Sequence, residues 1–226
     1  MKIIKTFIIL LLIISCSNNK QITEFEVILG VKNSKTLTYL VHDFETEFLK
    51  KQYSHLDISK AYKQFVIDVK KQGGFSFSNN ISEESKLIFE KSNLRLEIYS
   101  IPDSIWIKHS SNVVVTKIRY KNLTSDGTFQ FNTSESSYND DGIINKDSIL
   151  NTINKYHGGM NFSGRYKKAL ETIFQESGFV NEYIDTKDAA GSGNPSIFVS
   201  RILSSNIDFN DYFIKRLILT ELVYIK

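Results

Sequence analysis

The chain has 226 residues, with 28 Lys and Arg against 25 Asp and Glu for a formal charge of +3. Removing residues 1–15 takes away Lys2 and Lys5 and leaves +1, so the apparent basicity belongs largely to the first fifteen residues, and no clustered basic face of the kind that grips nucleic acid is visible. One cysteine excludes a disulfide framework, while sixteen Phe and eleven Tyr argue against disorder and for a packed interior that must supply stability alone.

The N-terminus opens with Lys2 and Lys5 and then runs apolar from Phe7 to Ile14, "FIILLLII". A helix of that length covers roughly 12 Å, too short for a bilayer that needs about 20 apolar residues, so the pattern reads as a secretion signal. Its end, Ile13-Ile14-Ser15-Cys16, resembles the lipobox of bacterial lipoproteins: aliphatic residues, a small residue, then a cysteine. The resemblance covers residues 1–16 and implies a diacylglycerol on the Cys16 thiol, cleavage before it, and acylation of the new amine. Two or more acyl chains make a stable anchor, so the expected partner is a membrane, held through covalent lipid at Cys16 and not spanned. Ser17-Asn18-Asn19-Lys20 follows without an Asp, which by the same resemblance points to the periplasmic face of the outer membrane.

Residues 16–26 are expected to form a lipidated tether, and 27–226 a single mostly helical domain. On one helical stripe fall Leu37, Leu40, Val41, Phe44, Phe48 and Tyr53, with Asn33 or Ser34 able to cap the start. Ile58, Ala61, Tyr62, Phe65, Val66 and Val69 form a second stripe, opened by Asp57 and closed at Gly73-Gly74. A third helical region starts at Ser82. Its "IFEKSNLRLEIY" from Ile88 matches "IFQESGFVNEYI" from Ile173 in pattern, which suggests a duplicated helical unit with halves 27–110 and 145–226.

Between the halves, "NVVVTKIRYKN" and "TFQFNT" flank Asp126-Gly127 and predict a small β-hairpin or irregular insertion near 112–133, with "TSESSYNDDG" as a surface loop. Helices resume at Asp147 and stop at Gly158-Gly159. Another carries Tyr166, Ala169, Leu170, Ile173 and Phe174 and ends at Gly178. Asn194 and Pro195 mark the next start. The last helix, after Asp208, is apolar nearly all round and is expected at the centre of the bundle. The fold class expected is therefore mainly α, a bundle of amphipathic helices.

Chemistry-bearing residues are sparse. His42, His55, His109 and His157 lie in separate segments without a metal-ligand spacing, and His42 with Glu45 offers two ligands at most. Asn139, Asp141, Gly142 and Ile144 echo a calcium loop, but Ser148 stands where the closing bidentate Glu is needed, so a solvated turn is expected. Glycines at 191–193 precede a helix start but follow no strand and read as a flexible link. Glu221, with Lys215 and Arg216 on the last helix, offers a catalytic acid, but a buried acid of this kind is expected to pair with a base and pack. No nucleophile elbow, phosphate loop or dinucleotide fingerprint is present, and no catalytic residue, metal or cofactor is assigned.

The functional expectation is a membrane-anchored, non-catalytic binding or scaffold module with an envelope protein partner and no nucleic acid. The alternatives are an envelope hydrolase with dispersed carboxylates and a periplasmic antitoxin. A deep cleft with two inward carboxylates of opposed pKa would favour the hydrolase, whereas a bare aromatic patch would mark a partner surface. Cys16→Ser is expected to leave an uncleaved, unacylated precursor, detectable by intact mass; a variant that still matures and fractionates with membranes removes the anchor from the account.

Overall fold

The computed structural model describes residues 19–72, 81–110, 112–139, 147, 159–173, 178–191 and 195–225. The expected signal segment and Cys16 lie outside these residues, as do His157, Asp141, Ser148, Asn194 and the expected Gly73-Gly74 stop.

Helix α1 (19–29) opens the described chain and corrects the expected tether. Phe25 and Leu29 are fully buried and Ile22 packs beside them, a spacing of three and four residues that is one helical stripe. Burying each such side chain contributes roughly 2 kcal/mol, enough to hold the segment on the body. Gly30, at φ 87°, breaks the helix, and α2 (Val31–Asp43) follows, continuing through a π-helical stretch Phe44–Leu49 and a last turn Lys50–Gln52. Asn33 and Ser34 do not cap α2. Their side chains reach back to the carbonyls of Leu29 and Glu26, at 3.2 and 3.0 Å, and close the C-terminal end of α1.

The expected stripe on α2 is the core stripe: Leu37, Leu40, Val41, Phe44, Phe48 and Tyr53 are all buried. Helix α3 (Ile58–Lys71) starts at Asp57, whose carboxylate accepts from the Lys60 amide at 2.9 Å, and its Phe65 ring meets Phe44 edge-on at 5.1 Å. Helix α4 (Glu83–Lys91) starts at Ser82, and α5 (Leu94–Ile98) follows the break at Ser92-Asn93.

After α5 the fold departs from a helical bundle. Strands β1 (Ile101–Ser110), β2 (Val113–Leu123) and β3 (Phe129–Asn139) form an antiparallel sheet in the order β1-β2-β3. The expected hairpin around Asp126-Gly127 is the β2–β3 turn, but the sheet is far larger than an insertion at 112–133: β1 precedes it and "TSESSYN" is strand, not loop. This makes the protein a mixed α and β fold rather than mainly α. Every residue of β3 is exposed, and beyond Phe131 the strand carries no apolar alternation to flag it. Nor do the two matching segments continue alike. The first runs from α5 into the sheet, whereas the second, after Ile173, leads into the thirteen-residue helix α7 (Gly178–Ala190). A duplicated helical unit therefore does not describe the architecture.

Helix α6 (Arg165–Thr172) precedes α7, and Gly178 begins α7 instead of ending α6. Helix α8 (Pro195–Ser204) starts at Pro195 as expected. Asp211 caps α9 (Tyr212–Ile218), which continues as a π-helical stretch Leu219–Val223, and Phe213 to Tyr224 is buried except for Lys215. This is the central helix that the sequence predicts.

One side chain joins the sheet to the helices. The Asn161 amide donates to the Leu96 carbonyl of α5 and the Leu123 carbonyl of β2, both at 2.7 Å, and its oxygen accepts from the Ser163 amide at 3.0 Å. Around it, Asn161 N–H donates to Ile98 (2.8 Å), Ser100 to Gly159 (2.9 Å), Ser125 to Ser163 (2.8 Å) and Arg165 to the Glu97 carboxylate (2.7 Å). A Cβ on Gly164 would collide with the Glu97 carbonyl, which lets only glycine close the junction without displacement. Asn161→Ala, which orphans two carbonyls, is expected to lower stability by about 2–4 kcal/mol in a urea titration, and Gly164→Ala by about 1–3 kcal/mol. Wild-type midpoints for both would remove the junction from its structural role.

Candidate functional site

Directly opposed residues in an antiparallel sheet share a face, so the strand register sorts the side chains. On one face lie the rows Trp106–Lys117–Glu135, Ser104–Arg119–Thr133 and Lys121–Phe131, with Leu123 opposite Phe129. On the other face the rows are Ile107–Thr116–Ser136, Ile105–Ile118–Ser134 and Pro102–Tyr120–Asn132. Lys117, Arg119 and Lys121 are thus gathered with Trp106, Phe129 and Phe131 on the first face, while the second carries Tyr120 and Tyr138 among mainly neutral polar groups of β3.

The rings are not sealed by packing. Trp106, Phe129 and Phe131 are 49%, 48% and 48% exposed. The Arg119 guanidinium lies 4.9 Å from the Phe131 centroid and 6.0 Å from that of Trp106, and the Lys121 ammonium is 3.8 Å from the Phe129 centroid. Asp103, beside the bulge in β1, orients Arg119 by accepting from its Nε at 2.7 Å. That guanidinium, followed by the Ser104 hydroxyl, holds the Asp103 carboxyl below its ordinary pKa. Lys108, Lys117, Arg119 and Lys121 face only Asp103 and Glu135, so the surface is positive.

The turn below this face is fixed by its own chemistry. Asp126 accepts from the Thr124 hydroxyl and from the Thr128 amide and hydroxyl, which draws its carboxyl down to about 2, and Gly127 supplies the φ of 88°. Phe129 and Phe131 leave that turn in a defined direction.

A second polar constellation lies inside the helices. Glu221 accepts from Lys187 Nζ and from the Tyr183 hydroxyl, each at 2.7 Å, at the base of a cavity of about 30 Å³ walled by Phe179, Ile197 and Phe198. Burial, followed by the Glu221 charge, pushes the Tyr183 hydroxyl far above its usual pKa, which keeps it a donor. The space admits about one water, and both Glu221 oxygens are engaged. Glu221 therefore does pair with a base, but with Lys187 of α7. Lys215 instead meets Glu45 at 2.9 Å, and Arg216 stacks on Tyr212 with its carbon 3.2 Å from the ring centroid.

The remaining sequence candidates are dispersed. His42 is exposed while Glu45 is taken by Lys215, His55 and His109 are exposed on separate elements, and Asn139 ends β3. Among the described residues no group of three His, Cys, Asp or Glu is placed to hold a metal, and no helix is long and apolar enough to cross a membrane. The residues that sequence reasoning missed are Trp106, Arg119, Lys121, Phe129 and Phe131. Their signal is the alternation in "KIRYK" and "FQF", which becomes a surface only once the register is known.

Comparisons with protein-family models, with curated proteins and with solved structures return no match to this chain.

Lys187→Met is expected to destabilise the fold by about 3–5 kcal/mol, because it strands the Glu221 carboxylate in the core. Adding Glu221→Leu is expected to recover most of that loss, as read by urea midpoints. A double variant no better than the single would mean that the pair is not coupled.

Proposed function

We propose that this chain is a lipid-anchored envelope protein whose activity is binding: acyl groups on Cys16 hold it to the membrane, at the periplasmic face of the outer membrane, and the aromatic–cation face of the sheet takes an acidic protein surface. The supporting observation is the gathering of Trp106, Phe129 and Phe131, each about half exposed, with Arg119 and Lys121 on one face of the sheet. Monomeric proteins seldom leave such a patch bare without use, and aromatic residues with arginine are the groups that dominate partner interfaces. The positive balance of Lys108, Lys117, Arg119 and Lys121 over Asp103 and Glu135 selects an acidic partner and steers its approach.

A hydrolytic reading draws less support. The buried carboxylate beside the cavity, Glu221, is paired with Lys187 and hydrogen-bonded by Tyr183, which ties each of its oxygens to a structural partner. The lipid anchor rests on the lipobox pattern at Ile13-Ile14-Ser15-Cys16.

Pull-down from detergent-solubilised envelopes of the native cell, with wild type against Trp106→Ala/Phe131→Ala, tests the face. One acidic partner should be lost by roughly tenfold or more in the double variant, the equivalent of about 1.4 kcal/mol. Its capture by the wild type should also weaken as salt rises. An unchanged set of bound proteins would overturn the assignment of the face.

A further inference from the structure

The sheet has two edges, and they are built differently. Outer strand β1 carries Pro102, which has no amide hydrogen to donate, a register shift between Pro102 and Ser104, and Lys108. Proline, bulges and lysine are the devices by which proteins stop an edge strand from pairing with another chain. Strand β3 has none of them. Its pairing with β2 runs without interruption from Val113↔Asn139 to Leu123↔Phe129, it contains no Pro, Lys or Arg, and Glu135 is its one charged residue. All eleven residues are exposed, and β2 is its only strand partner among the described residues.

We infer that the outer edge of β3, unpaired among the described residues, pairs with β3 of a second copy of this chain, joining two three-stranded sheets into one of six strands. The charge pattern selects this occupant. A strand with one carboxylate in eleven residues offers nothing to attract a charged segment, but it suits a neutral strand, and β3 is itself one. Antiparallel pairing about a two-fold axis at Ser134 overlaps the whole strand. It sets Glu135 opposite Thr133 of the second copy, Asn132 opposite Ser136, and Gln130 opposite Tyr138, so no like charges meet. Eleven overlapping residues form roughly ten main-chain hydrogen bonds. Because the axis is perpendicular to the sheet, the two aromatic–cation faces lie on the same side, and like faces meet like in a closed, isologous contact. The pairing uses main-chain groups of the edge, not the rings or cations of the face, and stands or falls separately from the partner-binding reading.

Sedimentation equilibrium of the full chain in a density-matched non-ionic detergent tests this. Wild type is expected as a dimer at micromolar concentration. Asn132→Lys/Ser136→Lys, which sets lysine against lysine twice across the axis, is expected to weaken association by roughly tenfold or more with its circular dichroism unchanged. A second readout holds even if the lysine variant folds poorly. Residues paired across the axis sit with Cα atoms about 4.5–5.5 Å apart, within disulfide range, so Ser134→Cys should oxidise to a covalent dimer while Glu135→Cys, displaced along the strand, should not. A monomeric wild type, a dimer indifferent to the lysines, or equal cross-linking at positions 134 and 135 would each overturn the proposal.

Discussion

The Asn161 carboxamide is the point on which the two parts of this molecule meet. Its nitrogen is shared between the carbonyls that end α5 and β2, and its oxygen turns the chain toward α6. Both carbonyls belong to places where regular structure stops, and there a buried acceptor without a partner is costly. A single 1%-exposed side chain thus satisfies groups from segments 27 residues apart and fixes the angle at which the sheet leaves the helices. Gly164 and the Arg165–Glu97 contact complete the joint, because close backbone approach and a charged acceptor are required within the same few ångströms.

That joint lets the sheet stay exposed without being loose. The helices own the core: Phe25, Phe44, Tyr62, Phe65, Tyr166 and α9 interlock through edge-to-face and tilted rings. The outer strands are relieved of that duty, and β3 is solvated on both faces. A surface released from packing can carry rings and cations for recognition, and an edge left unblunted can carry hydrogen-bonding groups for association. Rigidity is inherited through β2, where Asn122 and Leu123 are buried beside the junction.

The interior polar groups obey a related constraint. Lys187 and Glu221 are 6% and 4% exposed and come from α7 and the end of α9, so their pairing, with Tyr183 taking the second oxygen, specifies how those helices dock. Leaving either ion alone would cost more than the pair gains, which makes the arrangement a selector of one packing rather than a source of net stability.

Much of the helical part could be read directly. The stripes on α2 and α3, the caps Asp57 and Ser82, the start at Pro195 and the all-apolar last helix depend on residues three or four apart, and that periodicity is written in the chain. The same logic misjudged α1, whose stripe of Ile22, Phe25 and Leu29 is too short to stand out, and the sheet, whose outer strands lack the sustained apolar alternation that burial imposes. Local helical order is therefore what the amino-acid order determined by itself, since it depends on neighbours within one or two helical turns. The partner of Glu221, the reach of Asn161, the shared face of Trp106 and Phe131, and the open edge of β3 were decided only in three dimensions. Each joins residues brought together by strand register or helix docking, and such contacts leave no period in the chain to read.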